Sequence, residues 1–556
     1  MAAAFIGKLS ARSTVSTLAL LTTRNSRAPA LSTLEFPVTI YIPTAMPAPQ
    51  PELLQPEQFT RHPQVLEALE KLHDYIALKT LETGGWRVSD IGGGPAYTPD
   101  PQRPERSYAL QYVDLVMEGG GMLGIALVGY VYALEQVGIR FLRLGGTSAG
   151  SINALLMAVA APRQEPSTTW IIEQLANQNF YDFVDGDDDA RDFTADLLKP
   201  TQTGRGIWGW LNRTASKAGL ISDGLQIVDN IRDDFGLHRG EVFKAWLARL
   251  LNQRGVNTIE RLVTLRAQVP ATGLHRTHTA DNAPAQTPYT PEDLCRVAIV
   301  AADITTQTKV VFPEMAPLYW GDWRHVHPAE LVRASMSIPL FFQPYQIRHM
   351  PGYNLPPVQA KSYTDAWAAL GYTGPIPESV MFMDGGIMSN FPIDLFHDNT
   401  QVPAAPTFGI KLGIDRGMAR ATRNLPGVLA AMFDAARTQY DFDFIHRNSD
   451  YRHLVHCLNV DGFNWLDFNM PNRDKVNLFL VGVRGAVEFL TKFDWEAYKK
   501  LRKAKVDVVQ QSRAMDDSKT RLPEPRPTDL TWPCVMPTYM KPAIAAQQLP
   551  AVGHAV

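Results

Sequence analysis

One stretch, residues 113–161, limits what this chain can fold into: VDLVMEGGGMLGIALVGYVYALEQVGIRFLRLGGTSAGSINALLMAVAA. An apolar strand, Val113–Met117, runs into Gly119-Gly120-Gly121, with Gly124 close behind. Residues 123–136 read as a helix. A second apolar strand, Phe141–Leu144, then delivers Gly146-Thr147-Ser148-Ala149-Gly150 into another helix, Ala149–Ala160. A serine with glycine two residues away on each side, between a strand and a helix, is the nucleophile-elbow pattern. Side chains at the flanking positions would collide in so tight a turn, and glycine removes them. The serine hydroxyl is left at a helix N-terminus, where unpaired N–H groups favour developing negative charge. The bland alternative is a Gly/Ser turn without chemistry. The strand before and the small, apolar helix after favour a nucleophile.

The first glycine turn supports two readings. Gly119-x-Gly121-x-x-Gly124 after a strand fits a dinucleotide fingerprint, which wants a carboxylate about 20 residues on to hold the ribose. The next strand leads instead to a serine. In the other reading the amides of Gly119, Gly120 and Gly121, with Gly124, form an oxyanion hole, converging where a tetrahedral intermediate would place its negative oxygen. A nucleophile emerging from the neighbouring strand favours the oxyanion hole.

Composition excludes some classes. A net charge of -3 over 556 residues predicts no nucleic-acid affinity. Cys295, Cys457 and Cys534 lie far apart, so neither a disulfide framework nor a metal spacing follows. No metal and no cofactor is expected. No segment reads as a transmembrane span. The nearest, Val116–Leu134, carries Glu118 and the glycine cluster, so any lipid contact is expected to be peripheral.

Residues 1–60 read as a disordered or extended segment, basic at first and proline-rich later. The basic start resembles a transit peptide in composition only, and a disordered extension is the preferred reading. Residues 61–112 read as a helical extension, with a helix over Pro63–Leu81. A catalytic domain is expected over 113–495, with insertions at about 162–291 and 349–377, the latter irregular. Residues 496–556 read as a helix end and a proline-rich tail. The acidic cluster Asp182–Asp192 lacks calcium-loop spacing and reads as a solvated loop. Trp208 and Trp210 read as core or lid packing, with a membrane-interface role as the alternative. The buried strand Ser379–Met383 ends in Asp384-Gly385-Gly386, a carboxylate where open α/β sheets keep their chemistry. Alternating strands and helices from Val113 to Val460 argue one α/β domain.

Four pieces taken in order, Gly119-Gly120-Gly121-Met122-Leu123-Gly124, GTSAG around Ser148, ASMSIPLFFQP from Ala334 and Asp384-Gly385-Gly386, resemble the patatin-like phospholipase family. The resemblance implies a three-layer α/β/α sandwich with a mostly parallel central sheet. It also implies metal-free hydrolysis of phospholipid or acylglycerol esters. Ser148 would be the nucleophile, Asp384 its only side-chain partner and the glycine amides the oxyanion hole. The implied partner is a lipid substrate at a membrane or micelle surface. The implied location is cytoplasmic or peripheral to a membrane, with delivery elsewhere left open. One departure is Leu123, where many family members carry Lys or Arg.

Two tensions remain. An aspartate with an ordinary pKa near ~3.9 is a weak base at neutral pH, so burial must raise it. A Ser…Asp…His order is also available, because His397, His446, His453 and His456 follow Asp384. His453 and His456 sit in an apolar strand and read as structural. The alternative functions are a catalytically silent regulatory or scaffold relative, and a nucleotide-binding module using the glycine turn.

Overall fold

The computed structural model describes residues 53–186, 235–271, 273–277, 296–398, 400–413, 435–437, 439 and 441–516. The N-terminal extension before residue 53, Trp208, Trp210 and the tail beyond 516 lie outside these residues.

In chain order the strands are β1 (Ile91–Gly92), β2 (Gln111–Met117), β3 (Ile139–Thr147), β4 (Gly236–His238), β5 (His275–Arg276), β6 (Val297–Asp303), β7 (Thr308–Phe312), β8 (Leu340–Phe342), β9 (Tyr345–Ile347), β10 (Val380–Met383), β11 (Thr407–Leu412) and β12 (Val455–Leu458). The main helices are α1 (Pro63–Thr83), α2 (Gly124–Gln136), α3 (Ala149–Ala160), α4 (Pro328–Ser335), α5 (Asn472–Lys492) and α6 (Trp495–Asp516). The large sheet runs β12-β11-β2-β3-β6-β10-β9. Its five strands from β12 to β6 are parallel, and β10 and β9 continue it antiparallel. Strands β4 and β8 form a separate parallel pair.

Continuous apolar runs suit parallel strands covered on both faces. All of β6 and all but the first residue of β2 are buried. Two adjacent residues of β3 show both layers. A Cβ at Gly146 would lie 2.4 Å from the backbone of Gly150 in α3, so only glycine lets the helix fold back this tightly. A Cβ at Gly145 would lie 2.7 Å from Leu395, in the turn Ile393–Phe396 on the opposite face. α2 is apolar nearly all round and correspondingly buried, packing beneath α5 and α3.

Register gathers the chemistry. Met117 pairs with Gly146 and Thr147 with Val300, so β2, β3 and β6 end side by side. Strand β10 brings Met383 opposite Ala302, which sets Asp384 at the same edge. Ligands and catalytic groups of open α/β sheets collect at this carboxyl end.

Four local expectations differ from what forms. Residues 349–377 are not irregular throughout: Pro357–Ala369 is a helix opened by proline in its first turn, with Trp367 buried. Dense proline and glycine on both flanks conceal it in the sequence. The second strand extends through Gly145 and Gly146, because neighbours on both sides supply its ladder. Asp185 is not a solvated loop residue, since its carboxylate accepts from Gly240 N–H (2.9 Å) and Val242 N–H (3.1 Å) at the start of the helix Glu241–Gln253. Past residue 495 the chain is not a helix end but the 22-residue α6, whose Trp495 donates its indole N–H to Asp90 at 2.8 Å.

Candidate active site

Ser148 stands between β3 and α3 with φ 50 and ψ -117, a strained conformation for a residue with a side chain. Its own N–H donates to Ser335 Oγ at 2.9 Å, and Ser335 Oγ donates to Val300 O at 2.6 Å. Two residues on, the carbonyl of Ser337 accepts the N–H of Asp384 at 2.8 Å. The segment Ser335–Ser337 thus holds the backbone of both candidate catalytic residues. Arg333 fixes that segment in turn, donating from Nη1 to Ser337 Oγ at 2.7 Å.

Ser148 is 5% exposed and Asp384 3%. Burial pushes the Asp384 carboxyl above its ordinary range; the Arg437 guanidinium, the Ser148 hydroxyl and the Gly386 amide pull against that shift. The Ser148 hydroxyl is therefore within electrostatic reach of the carboxylate. The Ser148 side chain is among the hydrogen-bonding groups that lower the Asp384 pKa. Asp384 Oδ1 also accepts Gly386 N–H at 2.8 Å.

The glycine turn lies alongside. A Cβ at Gly119 would sit 3.1 Å from Ser148 Cβ. Gly121 has φ 54, and a Cβ there would lie 2.2 Å from Trp465 O, so the turn tolerates glycine alone. The amides of this turn are not equivalent. Gly119 N–H donates to Asn390 O at 3.0 Å. Gly124 N–H bonds back to the carbonyls of Gly121 and Met122. Neither amide is left for an oxyanion, which corrects the expected set of four glycines. The position of Gly124 explains its own identity, because a Cβ there would lie 3.1 Å from Ala149 Cβ where α2 meets α3. The amides of Gly120 and Gly121 have no acceptor among the described residues.

The other expected residues frame the elbow. Thr147 donates its hydroxyl to Ser389 O at 2.8 Å. Ala149 is buried, and a Cβ at Gly150 would strike Met117 O at 2.2 Å. Gly385 packs on Val300 O, and Gly386 lies between Asp384 and Asn390.

Among the described residues, none of His397, His446, His453 and His456 bonds to Ser148 or Asp384. His397 pairs with Tyr451 at 2.6 Å, with burial taking its pKa down to about 4. His446 is exposed. His453 lies in a short 3-10 turn, Ser449–His453, and not in the strand expected to contain it, while His456 lies in β12.

Several residues that position the site carry little sequence signal. Asn390 is a hub: Nδ2 donates to Glu118 Oε1 (3.0 Å) and Gly119 O (3.2 Å), and Oδ1 accepts from Arg437 (2.8 Å). Glu118 also holds buried Lys411 at 2.8 Å. A lysine in an apolar strand and a glutamate at a strand end were the only hints of that pair.

A family model described as patatin-like phospholipase matches residues 115–397. YqhO of Bacillus subtilis (strain 168), an uncharacterized protein, is 25% identical over 387 residues, 69% of this chain and 100% of YqhO. A stretch of 66 residues is 46% identical to lysophospholipase nte1 of Aspergillus terreus, covering 11% of this chain and 4% of that protein. Among solved structures, VipD from Legionella pneumophila aligns with TM-score 0.32 and 12% identity, over 75% of this chain and 72% of VipD. The ExoU–SpcU complex of Pseudomonas aeruginosa aligns with TM-score 0.26 and 16% identity, over 74% of this chain and 61% of the matched one. With the family match spanning more than half of its residues, this chain belongs to the patatin-like phospholipase family.

Proposed function

We propose that this chain is a serine acyl hydrolase that cleaves ester bonds of phospholipids or acylglycerols with Ser148 as nucleophile and Asp384 as general base. One observation carries the reading: a strained serine and a buried carboxylate are held by one short segment, Ser335–Ser337, beside the amides of Gly120 and Gly121, which have no acceptor among the described residues.

Asp384 takes the proton of Ser148 as Oγ attacks the acyl carbonyl carbon. The oxyanion is stabilised by the amides of Gly120 and Gly121. Collapse expels the alcohol or lysolipid, which leaves with the proton from Asp384. Water then attacks the acyl-enzyme, gives its proton to Asp384, and the carboxylic acid departs as Ser148 is restored. Burial of Asp384 supports this role, because a carboxyl with a raised pKa is the stronger base. Substrate is met at a lipid surface. Among the described residues no helix is long and apolar enough to cross a membrane.

Release of fatty acid from phospholipid vesicles and from an acylglycerol emulsion tests the proposal. Ser148→Ala is expected to abolish release, and Asp384→Asn to lower it by about 10²–10⁴-fold. Undiminished release by Ser148→Ala would overturn the assignment. No release by the native chain on either substrate would favour the silent relative instead.

A further inference from the structure

The glycine turn has no cation of its own. Leu123, within the turn, is buried in the core at 7% exposure. A guanidinium reaches the turn from far along the chain. Arg437 Nη2 donates to Gly119 O at 2.9 Å and to Asn390 Oδ1 at 2.8 Å. Its guanidinium lies 5.5 Å from the ring centre of Trp465, whose carbonyl accepts Met122 N–H at 2.9 Å. The turn is therefore gripped at its start by Arg437 with Asn390 and at its end by Trp465. Arg437 also lies beside the acid: a Cβ at Gly386 would be 2.8 Å from Asp384 Oδ1 and 3.3 Å from Arg437 Cγ.

We propose that Arg437 is a positioning residue that clamps the Gly119–Gly121 turn in the shape that leaves two amides free, and sets a positive charge beside the Asp384 carboxylate. It acts on the turn from a separate segment of the chain. The purpose of the clamp rests on the hydrolase reading; the clamp itself does not. Four residues on, Asp441 reinforces the docking, accepting from Ser389 Oγ and Phe391 N–H, each at 2.6 Å. Arg437 thereby reaches the connection that carries both Asp384 and Asn390.

The groups acting on Asp384 are Arg437, the Ser148 hydroxyl and the Gly386 amide. Asp441 and the Glu118–Lys411 pair bond to Ser389, Asn390 and Phe391 on that connection and are unchanged by variants at 437. The planar guanidinium fork matters as well as the charge, so Lys is not equivalent.

The test compares the full chain with Arg437→Met and Arg437→Lys by hydrogen exchange and by the pH dependence of fluorophosphonate labelling at Ser148. For Arg437→Met, exchange in the peptide spanning Glu118–Met122 is expected to rise about tenfold or more, as after loss of an anchoring charged hydrogen bond. Exchange in α3 is expected to stay at its native rate. Labelling is expected to slow by about tenfold or more, with its acid limb displaced to higher pH. Arg437→Lys is expected to restore the acid limb toward native while labelling stays slow.

Native exchange in the glycine turn of Arg437→Met would overturn the clamp. Should that variant unfold, seen as rapid exchange in α3, the lysine variant decides: faster exchange confined to the turn supports the clamp, and native exchange overturns it. A native chain that never labels, with the turn still loosened by Arg437→Met, would sink the hydrolase reading and leave the clamp standing.

Discussion

At the scale of single residues, Asp384 is where structure and chemistry pull against each other. A carboxyl that is 3% exposed is costly to ionise, and the chain retains it at a strand end with Arg437 close by. Its raised pKa has two consequences. The base form is lost as pH falls through a value above the ordinary ~3.9. The acid limb of kcat/KM is therefore expected above that value, and a profile flat down to ordinary carboxylate pH would contradict it. Stability has the matching sign. A carboxyl whose folded pKa is raised contributes stability below its unfolded pKa and loses it as pH rises through the folded value. Asp384→Asn is thus expected to melt higher than the native chain at neutral pH, with the gain vanishing in acid. Melting curves at the two pH values check this.

At the scale of elements, the site is a set of strand ends made adjacent by register. The elbow depends on α3 folding back over β3, and Gly146→Ala would force a Cβ within 2.4 Å of backbone. That change is expected to cost about 3 kcal/mol or more, beyond the usual overpacking of a core, and to cut soluble yield. A urea midpoint within error of native would contradict this. Elements with a clear period and clear ends were legible in the sequence: the bounds of α3 are those expected from the residues. Two kinds of feature were not legible. The helix Pro357–Ala369 lies between stretches of loop-like composition. The work of Ser335, Ser337 and Asn390 depends on which strands become neighbours, and no local pattern encodes that. The glycine turn was legible as a glycine cluster, but that the Gly119 amide is already occupied follows from Asn390, some 270 residues away.

At the scale of the whole molecule, the sheet is supported by contacts that close the chain on itself. Helix α6 returns to the core and sets Arg502 on Asp450 at 3.1 Å, with side chains 4% and 0% exposed. Removing one member of a buried pair leaves an uncompensated charge. Lys505, also on Asp450, softens the loss. Arg502→Met is therefore expected to cost about 3 kcal/mol in urea unfolding, the low end for such pairs. A change below about 1 kcal/mol would show that α6 is dispensable to the fold. The sequence marked this region only as a helix end before a proline-rich tail, because its partners, Asp90 and Asp450, lie far away in the chain. Everything proposed converges on one nucleophile at one sheet edge. Peptide mapping of the full chain after treatment with a fluorophosphonate tests it most directly. The expected result is a single adduct on Ser148, absent in Ser148→Ala and severely reduced in Asp384→Asn. An adduct on another residue, or native labelling of Ser148 in Asp384→Asn, would contradict the account.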